Sequence, residues 1–180
     1  MSDSPDPTNA DLTVATNTPC ADWLTALPDA INLCEAAAKA AYREAFDAEV
    51  SGETEVSIVL ADDDMVQGLN RQYRNQDKPT NVLSFPQGED GIAPDGEARM
   101  LGDVIVAFQT TQREAQDQGK TLSAHTSHLV VHGVLHVLGF DHESDAEADD
   151  MEALERTILA TLKIADPYQT NASLADPGKP

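Results

Sequence analysis

Positive charge is scarce in this chain. Lys and Arg number 11 against 32 Asp and Glu, a formal net charge of -21 over 180 residues. That balance favours solubility. It speaks against a protein that coats nucleic acid or lies on an anionic membrane, while leaving room for a small basic patch inside an acidic molecule. Aromatic residues make up only 4%, with Trp23 the single tryptophan. No apolar run approaches the roughly 20 residues of a spanning helix. The opening MSDSPDPTNADL has no basic or apolar segment, so no secretory signal is expected there. The two cysteines, Cys20 and Cys34, are too few for a disulfide framework and are not spaced as a metal pair. Two free thiols in a reducing cytoplasm are the expectation. A hydrophobic content of 41% supports one core and leaves little room for a second.

The pattern along the chain divides it in three. Residues 1–20, rich in Pro, Ser, Thr, Asn and Asp, read as a mobile leader with an edge strand near Leu12 to Ala15. Residues 21–165 read as one domain, and 166–180 as a flexible tail. Within the domain, Ile31, Leu33, Cys34, Ala37, Ala38, Ala41 and Tyr42 recur at helical spacing over Asp29 to Ala48, and Gly52 breaks the run. Glu53 to Ala61 alternates as a strand. Asp62, Asp63 and Asp64 then supply a cap and first-turn acids for a helix carrying Val66, Leu69 and Tyr73. A magnesium cluster is the other reading of three aspartates. Arg71 to Pro79 is a polar connection, Thr80 to Pro86 a short strand, and Gln87 to Arg99 a loop. Met100 to Phe108 is a strand, Gln109 to Gln118 a helix capped by Gly119. Thr121 to Leu138 is a helix ended by Gly139, and Asp145 to Leu162 is the last helix, with Met151, Leu154, Ile158 and Leu162 as its stripe. The sum is an α+β domain: a small mixed sheet of about four strands packed against about five helices.

All five histidines fall between His125 and His142, and HGVLHVLGFDH is the densest part. Residues four apart on a helix point the same way, so His132 and His136 can reach one ion. Gly139 lets the chain double back, and His142 can supply a third ligand. Three protein ligands with one open position is the pattern of catalytic zinc, whose bound water has a pKa near 7, whereas structural sites close all four places. Three imidazoles also suit nickel, copper or iron. The bland alternative, histidines scattered on a surface, sits poorly with a helix otherwise made of Leu129, Val130, Val131, Val134 and Leu135. His128 reads as a support for the ligands or a substrate contact, and His125 as a surface residue. Asp141 and Glu143 could orient an imidazole or simply be solvated. The spacing equals that of the metzincin peptidases, but Gly133 stands where those enzymes place the general-base glutamate. The ligands therefore suggest a hydrolase, and the missing carboxylate argues against ordinary proteolysis.

The segments EVSIVLADDDM, LNRQYRNQDKPTNVLSFP, LGDVIVA and HLVVHGVLHVLGFDH with the following MEALE resemble, in this order, the YbeY-type rRNA maturation factors. Those are zinc-dependent endoribonucleases of bacteria. The resemblance runs from Glu55 to Glu155. It implies His132, His136 and His142 as ligands of one zinc ion per chain and a functional arginine at Arg74. It also implies a single-strand-specific endoribonuclease in rRNA maturation, including the 16S rRNA 3′ end, and in ribosome quality control. Nothing functional is carried onto the leader or the tail.

Chemistry agrees with that expectation. Phosphodiester cleavage needs a nucleophile near neutral pH and a cation facing the charge that develops on phosphorus. A guanidinium fork at Arg74 matches phosphate oxygens. Arg71 and Lys78 could hold the RNA strand or form a solvated basic loop. The charge of -21 opposes tight binding of naked RNA. A ribosomal subunit or ribosome-associated protein is therefore expected to share in docking, in the cytoplasm, with neither membrane nor DNA as a partner. A metallopeptidase-like hydrolase and a non-catalytic ribosome-assembly factor with a structural metal are the rival readings.

Overall fold

The computed structural model describes residues 12–45, 53–87 and 99–168. Ten elements follow one another in them: β1 (Leu12–Asn17), α1 (Asp22–Ala26), α2 (Ala30–Ala45), β2 (Thr54–Ala61), α3 (Asp63–Arg74), β3 (Val82–Pro86), β4 (Arg99–Ala107), α4 (Phe108–Asp117), α5 (Leu122–Val137) and α6 (Asp145–Thr161). The expected helix end at Ala48, the break at Gly52, most of the loop from Gln87 to Arg99, the first part of the leader and the last part of the tail lie outside the described residues.

The strands form one mixed sheet in the order β1-β2-β4-β3. β1, β2 and β4 run parallel, and β3 pairs antiparallel along the outer side of β4. This is the α+β domain that the sequence pattern calls for, with its four strands. The sixth helix is the short α1, ahead of the pattern expected from Asp29, and it holds the buried Trp23. Trp23 donates its indole N–H to the Ala61 carbonyl at 2.9 Å and meets the Phe108 ring edge-on.

Alternation in β2 decides the layering. Val56, Ile58 and Leu60 are fully buried on one face, among residues of α2, α5 and α6 such as Ala37, Ala41, Val130, Val134, Met151 and Ile158. Val59 joins a smaller cluster on the other face, where Val66 of α3 packs with Leu83, Ile105 and Ala107. Alanine is both the best helix former and small, so the alanine run of α2 lets neighbouring helices approach closely.

The three aspartates after β2 are used up by helix starts. Asp62 accepts from the Met65 N–H at 2.8 Å and caps α3. The Asp63 carboxylate accepts from the Thr110 N–H at 2.9 Å and its hydroxyl at 2.8 Å, at the first turn of α4. This matches the preference of acids for helix N-termini. Among the described residues they belong to no metal-binding group.

Three boundaries move. α3 continues to Arg74, where Asn75 turns with φ 57°, so the connection expected from Arg71 begins later. β1 contains the expected edge strand, and Leu12 and Cys20 are buried in the core, inside the stretch read as a leader. After α6, Asp166 accepts from Arg156 at 3.2 Å and the Pro167 carbonyl accepts from Lys120 at 3.1 Å. Described residues on both sides of the limits at 21 and 165 thus make contacts with the domain. Both cysteines are free and buried, and burial pushes the Cys34 thiol up to about 12. Among the described residues no helix is long and apolar enough to cross a membrane.

α5 is the central helix. Thr121 caps it by accepting from the Ala124 N–H at 3.0 Å, and it packs on α2, β3, β4 and α6. It comes close to the sheet at Gly133. A Cβ there would lie 2.5 Å from Val104 Cγ1 and 3.2 Å from Ser84 Oγ.

Candidate metal centre

The same register that turns Leu129, Val130 and Val134 into the core turns His132 and His136 toward the end of α5 and out of it. Their Nε2 atoms lie 3.0 Å apart. Gly139 then adopts φ 106°, a conformation costly for any residue with a Cβ. The Gly139 and Phe140 N–H groups return to the carbonyls of His136 and Leu135, each at 3.0 Å. The chain reverses, and one ring nitrogen from each of His132, His136 and His142 lies within 4.8 Å of the others.

A metal ion fits this arrangement. The His132 Nδ1 faces the Glu155 carboxylate at 2.5 Å. A carboxylate only accepts, so this bond assigns the ring proton to Nδ1 and leaves a lone pair on Nε2. That lone pair points at the His136 nitrogen 3.0 Å away, close to the roughly 3.3 Å between ligand atoms on a tetrahedral ion with bonds of about 2.0–2.1 Å. Burial, followed by the neighbouring His132 and His142, pushes the His136 pKa down. A neutral imidazole is the form that ligates.

Glu155 completes the frame from α6. It is fully buried, its Oε1 faces His132, and its Oε2 lies 3.3 Å from His128 Nε2 and close to the Tyr168 hydroxyl. Burial alone would push this carboxyl up. The bonds from His128, His132 and Tyr168 outweigh that and hold it down at about 2. His128 thus faces the support of a ligand rather than the groove. His125 is corrected: it is buried at 4% exposure, 3.1 Å from the Glu114 carboxylate, and not a surface residue. Asp141 accepts from the His142 N–H at 2.7 Å and so shapes the turn. Glu143 is exposed. Among the described residues neither bonds to an imidazole, whereas Glu155 does.

The three histidines line one end of a groove of about 580 Å³ with Arg74, Thr80, Asn81, Ser84, Phe140 and Asp141. α3 delivers Arg74 across the outer strand β3. Its exposed side chain makes no ion pair among the described residues, so the guanidinium is free for an anion. Arg71 and Lys78 are exposed and do not line the groove.

Fold and site together define an α+β domain with three histidines that could hold a metal ion, gathered in a groove. Comparison with known proteins gives the family. The profile of Endoribonuclease YbeY matches residues 27–163. The chain is 56% identical over 157 residues to Endoribonuclease YbeY of Paramagnetospirillum magneticum, covering 86% of this chain and 94% of that one. Against the same-named proteins of Rhodopseudomonas palustris and Azorhizobium caulinodans it is 53% identical over 125 and 149 residues. These alignments cover 69% of this chain and 65% of the first, and 82% of this chain and 91% of the second. The chain belongs to the endoribonuclease YbeY family.

Proposed function

We propose that this chain is a metal-dependent, single-strand-specific endoribonuclease of rRNA maturation and ribosome quality control, with zinc held by His132, His136 and His142. The observation that carries the reading is the convergence of three imidazole nitrogens within 4.8 Å in the groove that also presents Arg74. When bound, the ion supplies Lewis acidity at the scissile phosphodiester and lowers the pKa of water. His132 and His136 offer lone pairs, and Glu155 fixes the His132 ring so that it presents Nε2. Arg74 grips phosphate oxygens and meets the charge that grows on them as the P–O bond breaks. Thr80, Asn81 and Ser84, side chains able to donate and accept, line the path of the strand.

A groove that keeps one side of the histidine cluster open favours catalysis over a purely structural metal, which would be closed by a fourth ligand. The peptidase reading loses further ground at Gly133. A Cβ there would lie 2.5 Å from Val104 Cγ1, so the longer carboxylate side chain of a peptidase base finds no room on this helix face unless Val104 moves. With a net charge of -21, docking on a ribosomal subunit in the cytoplasm concentrates the RNA that electrostatics alone would repel.

The test is cleavage of a structured RNA with a single-stranded segment. The parent chain cuts, while His136→Ala and Arg74→Glu do not. Equal cutting by all three preparations would assign the activity to a contaminant and overturn the proposal.

A further inference from the structure

α6 buries a stripe of Met151, Glu155, Ile158 and Leu159. The carboxylate in that stripe is costly unless every lone pair facing the protein is answered. Oε1 is answered by His132. Oε2 is answered by His128 at 3.3 Å, a long contact, and by the closer hydroxyl of Tyr168. Tyr168 comes from beyond α6, and its place is fixed from several directions. Its N–H donates to Asp166 at 2.8 Å, and Asp166 also accepts from Arg156. The Arg156 guanidinium lies 5.3 Å from the ring centre. The His128 ring meets it edge-on at 5.5 Å. Lys120 holds the neighbouring Pro167 carbonyl.

We propose that Tyr168 is a positioning residue of the metal centre: its hydroxyl fixes the Glu155 carboxylate plane that holds His132 in its ligating orientation. A carboxylate bonded through one oxygen can swing about its last single bond. Bonded firmly through both, it cannot, and the 3.3 Å contact from His128 is too long to hold Oε2 by itself. With Oε2 tied to Tyr168, Oε1 stays in line with His132 Nδ1, and Nε2 stays aimed at the shared ligand position. The segment after α6 thereby governs how tightly the metal is held, although it contributes no ligand. The inference rests on the three-histidine reading of the site.

The test is zinc affinity of the full chain, by competition with a chromophoric chelator, alongside the visible spectrum of the cobalt form and melting of the metal-free protein. Tyr168→Phe keeps the ring against Arg156 and His128 and deletes only the hydroxyl. Zinc binding is expected to weaken about tenfold, the lower end of the effect of losing an outer partner, with an altered cobalt spectrum. In a Glu155→Gln background, which keeps the shape of the side chain, Tyr168→Phe should weaken binding no further. A Tyr168→Phe chain that melts lower but binds zinc within about twofold of the parent would show a merely structural role and overturn the inference. Equal weakening in both backgrounds would overturn it too, since Tyr168 would then act without Glu155. Should Glu155→Gln not fold, the affinity of Tyr168→Phe decides alone. A parent chain that binds neither zinc nor cobalt would sink the three-histidine reading itself. A parent that binds while Tyr168→Phe binds equally sinks only this inference.

Discussion

Two glycines sit inside helices, and replacing each by alanine should move stability in opposite directions. Glycine in a helix interior costs about 0.5–1 kcal/mol relative to alanine. At Gly68 of α3 a new Cβ would meet nothing within 4 Å, so Gly68→Ala should recover about that amount. At Gly133 the Cβ would fall 2.5 Å from Val104 Cγ1, whereas carbon atoms attract best near 3.5–4.0 Å. Roughly 1 Å must open between α5 and β4. Val104 is fully buried and β-branched, so it has no easy rotamer to escape into. Overpacking of this kind costs about 1–3 kcal/mol. Taking the upper part of that range and subtracting the propensity gain leaves a net loss of about 1–2 kcal/mol. For a chain of this size the melting temperature should fall by roughly 2–8 °C. His132 and His136 flank this position on the same helix, so metal affinity should fall with it. The assay is thermal and urea unfolding of the metal-free parent and both variants, followed by zinc titration. Gly133→Ala melting at or above the parent temperature would refute the close-approach argument and, with it, the claim that a peptidase base has no room.

Arg74→Ala should leave zinc affinity unchanged while lowering RNA cleavage by on the order of a hundredfold, since it removes a cation aimed at developing charge and not a ligand; parallel metal titration and single-turnover cleavage check this. Chelation should abolish cleavage and lower the melting temperature, because an ion that binds only the folded state stabilises it by about 2.7 kcal/mol at a hundredfold excess over its Kd; zinc should restore both, and a chelated sample that still cuts would contradict the assignment. Burial pushes the His125 pKa down, against the pull of Glu114 and with smaller help from His128 and Lys120. The neutral form is therefore favoured on folding, and this contribution is present above the unfolded value of about 6.5 and lost as pH falls below it. His125→Gln, able to keep the Glu114 bond, should lose less stability than the parent between about pH 7.5 and 5.5, measured by urea unfolding without metal.

Much of the fold was legible because it rests on local period. The alternation of Val56, Ile58 and Leu60 gave β2, and Asp62 capped α3 where a helix start needed an acceptor. The convergence of the three histidines was legible for the same reason: four-residue spacing and the turn at Gly139 are local facts. His125, by contrast, was misread because exposure is decided by what packs on a helix face, and α4 with Glu114 lies against that face only in three dimensions. Sequence proximity offered only Asp141 and Glu143, beside His142, as carboxylates that could orient an imidazole. The residue that holds His132, Glu155, is 23 positions away. Its one signal was a carboxylate standing in the buried stripe between Met151 and Ile158, where period alone calls for an apolar side chain.

The sequence by itself determined that an α+β domain forms and that three imidazoles gather at the end of one helix, since apolar periodicity sets the first and four-residue spacing with a glycine turn sets the second. Only the tertiary structure decided what surrounds them. It laid α5 onto β4 so closely that a side chain at Gly133 would crowd Val104, brought Arg74 around the outer strand into the histidine groove, and folded the segment after α6 back so that Tyr168 meets Glu155. Those are contacts between distant parts of the chain, and they depend on how layers pack rather than on how any one segment is spaced.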